Sequence, residues 1–203
     1  MVENNRAKLL IIALLNDLQQ DTAQLSMLIE GREEKLLILD SLNVLLQKPL
    51  ETIDRNSFYR FVAQSSSYFK FSQSTGTISQ LKNSGNMRLI RNTDVFQKIS
   101  LYWNEQENTR ISLSRYLEYR NRGREYSEKL FAFSDQDLIN AKLIAPSGKG
   151  VRVIQSNPAL WSEYSNIVSH CHITVLNYLD QLEKLLEKAE ELIGLLQKEY
   201  HLK

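Results

Sequence analysis

The sequence predicts an all-α fold, an elongated antiparallel helical bundle in which three long helices stand beside a fourth column of shorter ones. Two observations predict it. Only three prolines and seven glycines occur in 203 residues, so long stretches contain no helix breaker. Across most of the chain, apolar residues also recur at the alternating three- and four-residue spacing of a bundle helix rather than the two-residue spacing of a strand. The chain reads as a single domain, long enough to bury a core without disulfides or metal staples.

The first long helix is expected over about residues 4–47. Leu15, Leu18, Leu25, Ile29, Leu36, Leu39 and Leu46 fall on one face, interrupted by Thr22, Arg32 and Asn43. Gly31 marks a kink or short break, and Pro49 ends the element. The run Leu9 to Leu15 is apolar on nearly all sides but far shorter than the roughly 20 residues a membrane span needs. No basic stretch and small-residue cleavage site frame it as a signal peptide. Its burial is expected against the second half of the helix at 93–133 or the end of the helix at 158–201.

Residues 50–92 are choppier. Asn56 is placed to cap a short helix running to about Ser65. Ser65 to Ser67 and Ser72 to Gly76 have loop composition. Thr77 and Gln80 have the spacing of a capping box, and Gly85 is the expected left-handed stop after two turns. A further short turn covers Met87 to Ile90. Asn92 then caps the second long helix, over about 93–133, whose apolar positions include Val95, Phe96, Ile99, Tyr102, Trp103, Ile111, Leu113, Tyr116, Leu117 and Leu130. Ser134 to Asp137 read as another helix start, 143–157 as the main loop, and Val151 to Ile154 as a short extended segment.

The third long helix, about 158–201, is the clearest. Asn157 and Pro158 are the preferred residues for a cap and a first helical position. A seam follows through Trp161, Tyr164, Val168, Cys171, Val175, Tyr178, Leu182, Leu185, Ala189, Leu192 and Leu196. Leu160, Ile167, Leu179, Leu186 and Ile193 widen the stripe enough to touch two neighbours.

Charge and motif content argue against most chemistries. Lys plus Arg number 25 and Asp plus Glu 24, so a net charge of +1 gives no general attraction to nucleic acid. The single cysteine, Cys171, precludes an intrachain disulfide. His170 and His172 stand two apart on a helix and point to opposite sides, so they do not share a metal. Neither histidine, nor His201, has the Glu three residues earlier that a di-iron bundle requires. Ser147 to Gly150 lacks the upstream glycine and the following Ser/Thr of a phosphate loop. Arg115, Arg120, Arg122 and Arg124 alternate with Tyr116, Tyr119 and Tyr126, a pattern seen where single-stranded nucleic acid binds. Glu118, Glu125 and Glu128 lie among them, and pairing along the helix reads instead as a solvated, salt-bridged face. No catalytic residue, cofactor site or metal site is predicted.

The strings TISQLKNSGNMRLIRNTDVFQKISLYW, from Thr77, and DLQQDTAQLSMLIEGREEKLLILDSL, from Asp17, resemble a family of small bacterial membrane-anchored proteins of unknown function. Leu81, Ser84, Gly85, Asn86, Leu89, Ile90, Asn92 and Tyr102 carry the likeness, which extends over most of the chain. The resemblance implies an extracytoplasmic, periplasmic helical domain tethered by one transmembrane helix, expected upstream of Met1. The reading that follows is a non-catalytic interaction or scaffolding domain with a protein partner and no nucleic acid. Its candidate surface is the knuckle of Lys82, Ser84, Gly85, Asn86, Arg88 and Arg91. A periplasmic ligand-sensing bundle and an enzyme with an unrecognised site are the competing readings.

Overall fold

In the computed structural model of the chain, the described residues are 2–74, 76–83, 85–132, 152–153 and 157–202. Six α-helices lie among them: α1 (Val2–Glu30), α2 (Arg32–Leu46), α3 (Arg55–Ser65), α4 (Gly76–Asn83), α5 (Thr93–Leu130) and α6 (Pro158–Tyr200). Single 3-10 turns occupy Leu50–Thr52 and Asn86–Leu89. The fold is an all-α bundle. Its only sheet among the described residues is a two-residue antiparallel pairing, Phe131 opposite Val153 and Ala132 opposite Arg152.

Helix ends follow local chemistry. The α3 cap is Asp54, not Asn56: its carboxylate accepts from the Ser57 amide at 2.9 Å, so the helix begins two residues before the sequence reading placed it. Asn92 Oδ1 accepts from the amides of Asp94 and Val95, and Asn157 Oδ1 from that of Ala159. Thr77 is not a cap but a residue of α4, with its amide on Asp17 Oδ2 at 3.3 Å. Gly85 is left-handed at φ 64° and turns the chain from α4 into the following 3-10 turn. Helix α5 stops at Leu130 rather than 133, because Phe131 and Ala132 pair with the segment at 152–153 that the sequence marks as extended. The expected helix start at Ser134 and most of the 143–157 loop, including Ser147 to Gly150, lie outside the described residues.

The chain divides into two units, Met1–Glu30 with Lys70–Ile111 and Leu179–Lys203, and Gly31–Phe69 with Ser112–Tyr178. In the first, Ile11, Leu14, Leu15, Leu18 and Leu25 of α1 are buried, together with Val95, Ile99 and Tyr102 of α5 and the seam of α6 from Leu182 to Leu196. The apolar run at Leu9 to Leu15 falls in the same unit as the first half of α5 and the end of α6; Ile11, Leu14 and Leu15 are buried there, while Leu9 is exposed. Lys98 of α5 pairs with Glu191 of α6, and the Thr109 hydroxyl donates to the Gln181 carbonyl oxygen at 3.4 Å, so the two helices run antiparallel here.

In the second unit α2 packs on α3 and runs antiparallel to α6, with His172 against Asp40 and the Ser169 hydroxyl on Asn43. Its core is aromatic. Phe58, Phe131 and Trp161 meet in stacked and edge-to-face contacts, and Phe69, Tyr116 and Tyr178 gather in stacked and tilted contacts with centroids 5.7 to 6.1 Å apart.

The α6 seam is buried from Tyr164 to Leu196 at every predicted position, with Trp161 only half-buried. Burying one leucine of this row contributes about 1.5–3 kcal/mol. Two faces differ from the sequence reading. Gly31 restarts the helical phase, so α2 buries Lys35, Ile38, Leu39 and Leu42 while Leu36 and Leu46 are only half-buried. On α5, Phe96 and Ile111 are exposed, and the polar Gln106, Thr109 and Ser127 take buried seam positions.

Candidate functional site

Three places gather polar or charged chemistry. The first is the knuckle after α4. Gly85 supplies the left-handed residue, and a Cβ built on it meets nothing among the described residues within 4 Å, so the requirement for glycine is conformational rather than steric. Asn86 is buried and its amide nitrogen donates to the Gln80 carbonyl oxygen at 3.3 Å, closing the turn on the helix before it. Lys82 lies with its ammonium 3.5 Å above the Trp103 ring. Arg88 and Arg91 are exposed and make no ion pair among the described residues. Of the six residues the sequence singled out, Gly85 and Asn86 shape the turn and Lys82 is engaged by α5. Arg88 and Arg91 present charge, and Ser84 lies outside the described residues.

The second is a set of buried polar side chains that sequence reasoning missed. In the first unit, Asp21 is 2 % exposed. Its Oδ1 accepts from the Ser74 amide at 2.9 Å and its Oδ2 from the Tyr102 hydroxyl at 2.7 Å. Gln24 Oε1 accepts from the Ser72 amide, and Asp17 from the Thr77 amide. One face of α1 thus pegs the chain at 72–77 through side chains. Burial raises the Asp21 pKa, opposed by the bonds from Tyr102 and Ser74.

In the second unit Lys35 is likewise buried, and its ammonium donates to the carbonyl oxygens of Ser67 at 2.6 Å, Ser65 at 3.2 Å and Gln64 at 3.4 Å. Arg120 Nε donates to the Ser66 carbonyl oxygen at 2.7 Å, and its guanidinium lies 4.7 Å from the Tyr68 ring centroid. Two cations thus close the negative end of α3. Burial pushes the Lys35 ammonium down to about 8, and pushes the Cys171 thiol up to about 11, leaving it protonated and unreactive at neutral pH.

The histidines and the arginine–tyrosine series separate in space. His170 stacks on Tyr119 at 5.1 Å, His172 faces Asp40 at 3.3 Å, and Cys171 is buried between their directions. Tyr116 is interior, Arg124 pairs with Glu128, and the Tyr126 hydroxyl donates to Glu163. The series therefore surrounds α5 rather than forming one basic face. Among the described residues no group of three His, Cys, Asp or Glu side chains is placed to hold a metal ion. No described helix is long and apolar enough to cross a membrane.

The third place is a shallow groove of about 610 Å³ on the first unit, between the start of α5 and the end of α6. Asp94, Lys98 and Leu101 line one side and Glu191, Gly194 and Lys198 the other.

No family model matches this sequence, and neither a curated protein nor a solved structure matches it.

Proposed function

We propose that the chain is a non-catalytic interaction or scaffolding domain, that it is the extracytoplasmic part of a membrane-anchored protein, and that its knuckle docks an acidic segment of a protein partner. The location and the anchor rest on the family resemblance; one observation carries the docking site. A left-handed Gly85 and the buried Asn86, bonded back to α4, shape a short turn from which Arg88 and Arg91 project into solvent. Such a turn presents charge at little entropic cost, which favours recognition of carboxylates.

The deeply buried charged groups support the same reading. Asp21 and Lys35 make their hydrogen bonds within the chain, on its backbone and, for Asp21, also on the Tyr102 hydroxyl, where they tie segments together. A general acid or base would instead face a space that a substrate enters.

The experiment is site-specific photo-crosslinking in cells, with the probe at Arg88 and a control probe at the exposed Glu187. The expected result is one recurrent protein adduct from position 88 that disappears on Arg91→Glu while helix content is unchanged. Identical adducts from both positions would remove the knuckle from the proposal.

A further inference from the structure

We infer that the groove between α5 and α6 is the contact surface for a second copy of this chain, related by a two-fold axis that passes close to Gly194. This is independent of the partner assigned to the knuckle.

Gly194 is the starting observation. It sits in the interior of α6, where glycine is the least favourable residue after proline. Nothing among the described residues asks for it. It does not have a positive φ, and a Cβ built there meets no atom of the described residues within 4 Å. The contrast is Gly85, whose left-handed backbone accounts for it. A helix-interior glycine on an open surface is explained when another helix approaches there more closely than a side chain would permit.

The charges around Gly194 name the occupant. Along α5 the groove carries Asp94 and then Lys98; along the antiparallel α6 it carries Lys198 and then Glu191. Acid and base therefore oppose each other across the groove at both ends, and also alternate along each wall. A two-fold axis lying in the groove surface and perpendicular to both helices exchanges the two ends. It sets Asp94 against Lys98 of the second copy, and Lys198 against Glu191 of the second copy. Symmetry repeats both pairings.

The existing Lys98–Glu191 ion pair is kept. It is flanked by Asp94 and Lys198 of the other chain, so signs alternate across the whole contact. The same axis crosses α6 midway between 191 and 198, at Gly194 and Leu195. The missing side chain thus lies where the two α6 helices come closest. Leu101, 49 % exposed, and Leu195 supply the apolar part of the contact. A unipolar ligand or a strongly charged peptide finds no matching field in a groove with two acids and two bases.

Sedimentation equilibrium of the whole chain at micromolar concentrations tests the inference. The expected result is a monomer–dimer equilibrium. Gly194→Trp places an indole on the axis, and Asp94→Lys sets like charges against each other. Each is expected to weaken the dimer about tenfold or more, with an unchanged helical circular dichroism spectrum. In a second measurement, mild oxidation of Leu195→Cys, beside the axis, is expected to give a disulfide-linked dimer. The wild type, whose one thiol is buried, is expected to give none. A wild-type chain that stays monomeric overturns the inference. So does a dimer that survives both substitutions, or a Leu195→Cys variant that dimerises yet forms no cross-link.

Discussion

The ammonium of Lys35 is buried at the end of α3 in the second unit. It reaches three carbonyl oxygens in and just beyond the last turn of α3, while Arg120 and Tyr116 reach Ser66 and Ser67 of the same stretch. Lys35→Met keeps the stem but strands those acceptors, so a loss of about 2 kcal/mol in unfolding free energy is expected from urea titration. Asp21 has the opposite relation to pH from most carboxylates. Its folded pKa lies above the unfolded value of 3.8, so its contribution to stability is full below that value and is lost as pH rises through the folded pKa. Asp21→Asn removes that dependence. The variant's stability is expected to fall less steeply than the wild type's, or to rise, as pH increases through this window. Parallel curves would refute it. Neither residue was legible in the sequence. Asp21 has its partners in Ser74 and Tyr102, and Lys35 in the carbonyls of 64–67, all distant in the chain. Hydrophobic spacing encodes a face, not a backbone atom.

Among elements, legibility tracked how continuous the apolar row was. Helix α6, with apolar side chains along its whole seam, was readable almost to the residue. Helix α5 was not, because Gln106, Thr109 and Ser127 hold buried positions while Phe96 and Ile111 are exposed. The choice between Asp54 and Asn56 as the α3 cap could not be made from type alone, since both are good caps. The knuckle was legible through Gly85, but the burial of Asn86 and the contact of Lys82 with Trp103 depend on how α4 meets α5. Gly85→Ala is expected to cost about 1 kcal/mol and lower the melting temperature, from conformational strain alone. Gly194→Ala, in a helix with regular backbone and open space, is expected to stabilise the monomer by about 1 kcal/mol. Opposite signs for one chemical change at two glycines separate a backbone requirement from a surface one.

For the whole chain, a net charge of +1 leaves no general pull toward nucleic acid or anionic lipid, so recognition is assigned to local features. The tether remains a proposal drawn from the family resemblance. It predicts about 20 consecutive apolar residues upstream in the native reading frame, with positive charge on their N-terminal side. A compartment reporter fused after Lys203 is expected to be active outside the cytoplasm. Activity confined to the cytoplasm would remove both the tether and the location.

The side-chain pegs between α1 and residues 72–77 have a kinetic consequence. The amides of Ser72, Ser74 and Thr77 are held by Gln24, Asp21 and Asp17, not by a backbone ladder. In deuterium these protons should linger although residues 72–74 belong to no helix. Their release should be individually addressable: Asp21→Ala should free the Ser74 amide to exchange far faster than that of Ser72, which keeps its own anchor on Gln24. A stretch without secondary structure would then show protection that is set one residue at a time.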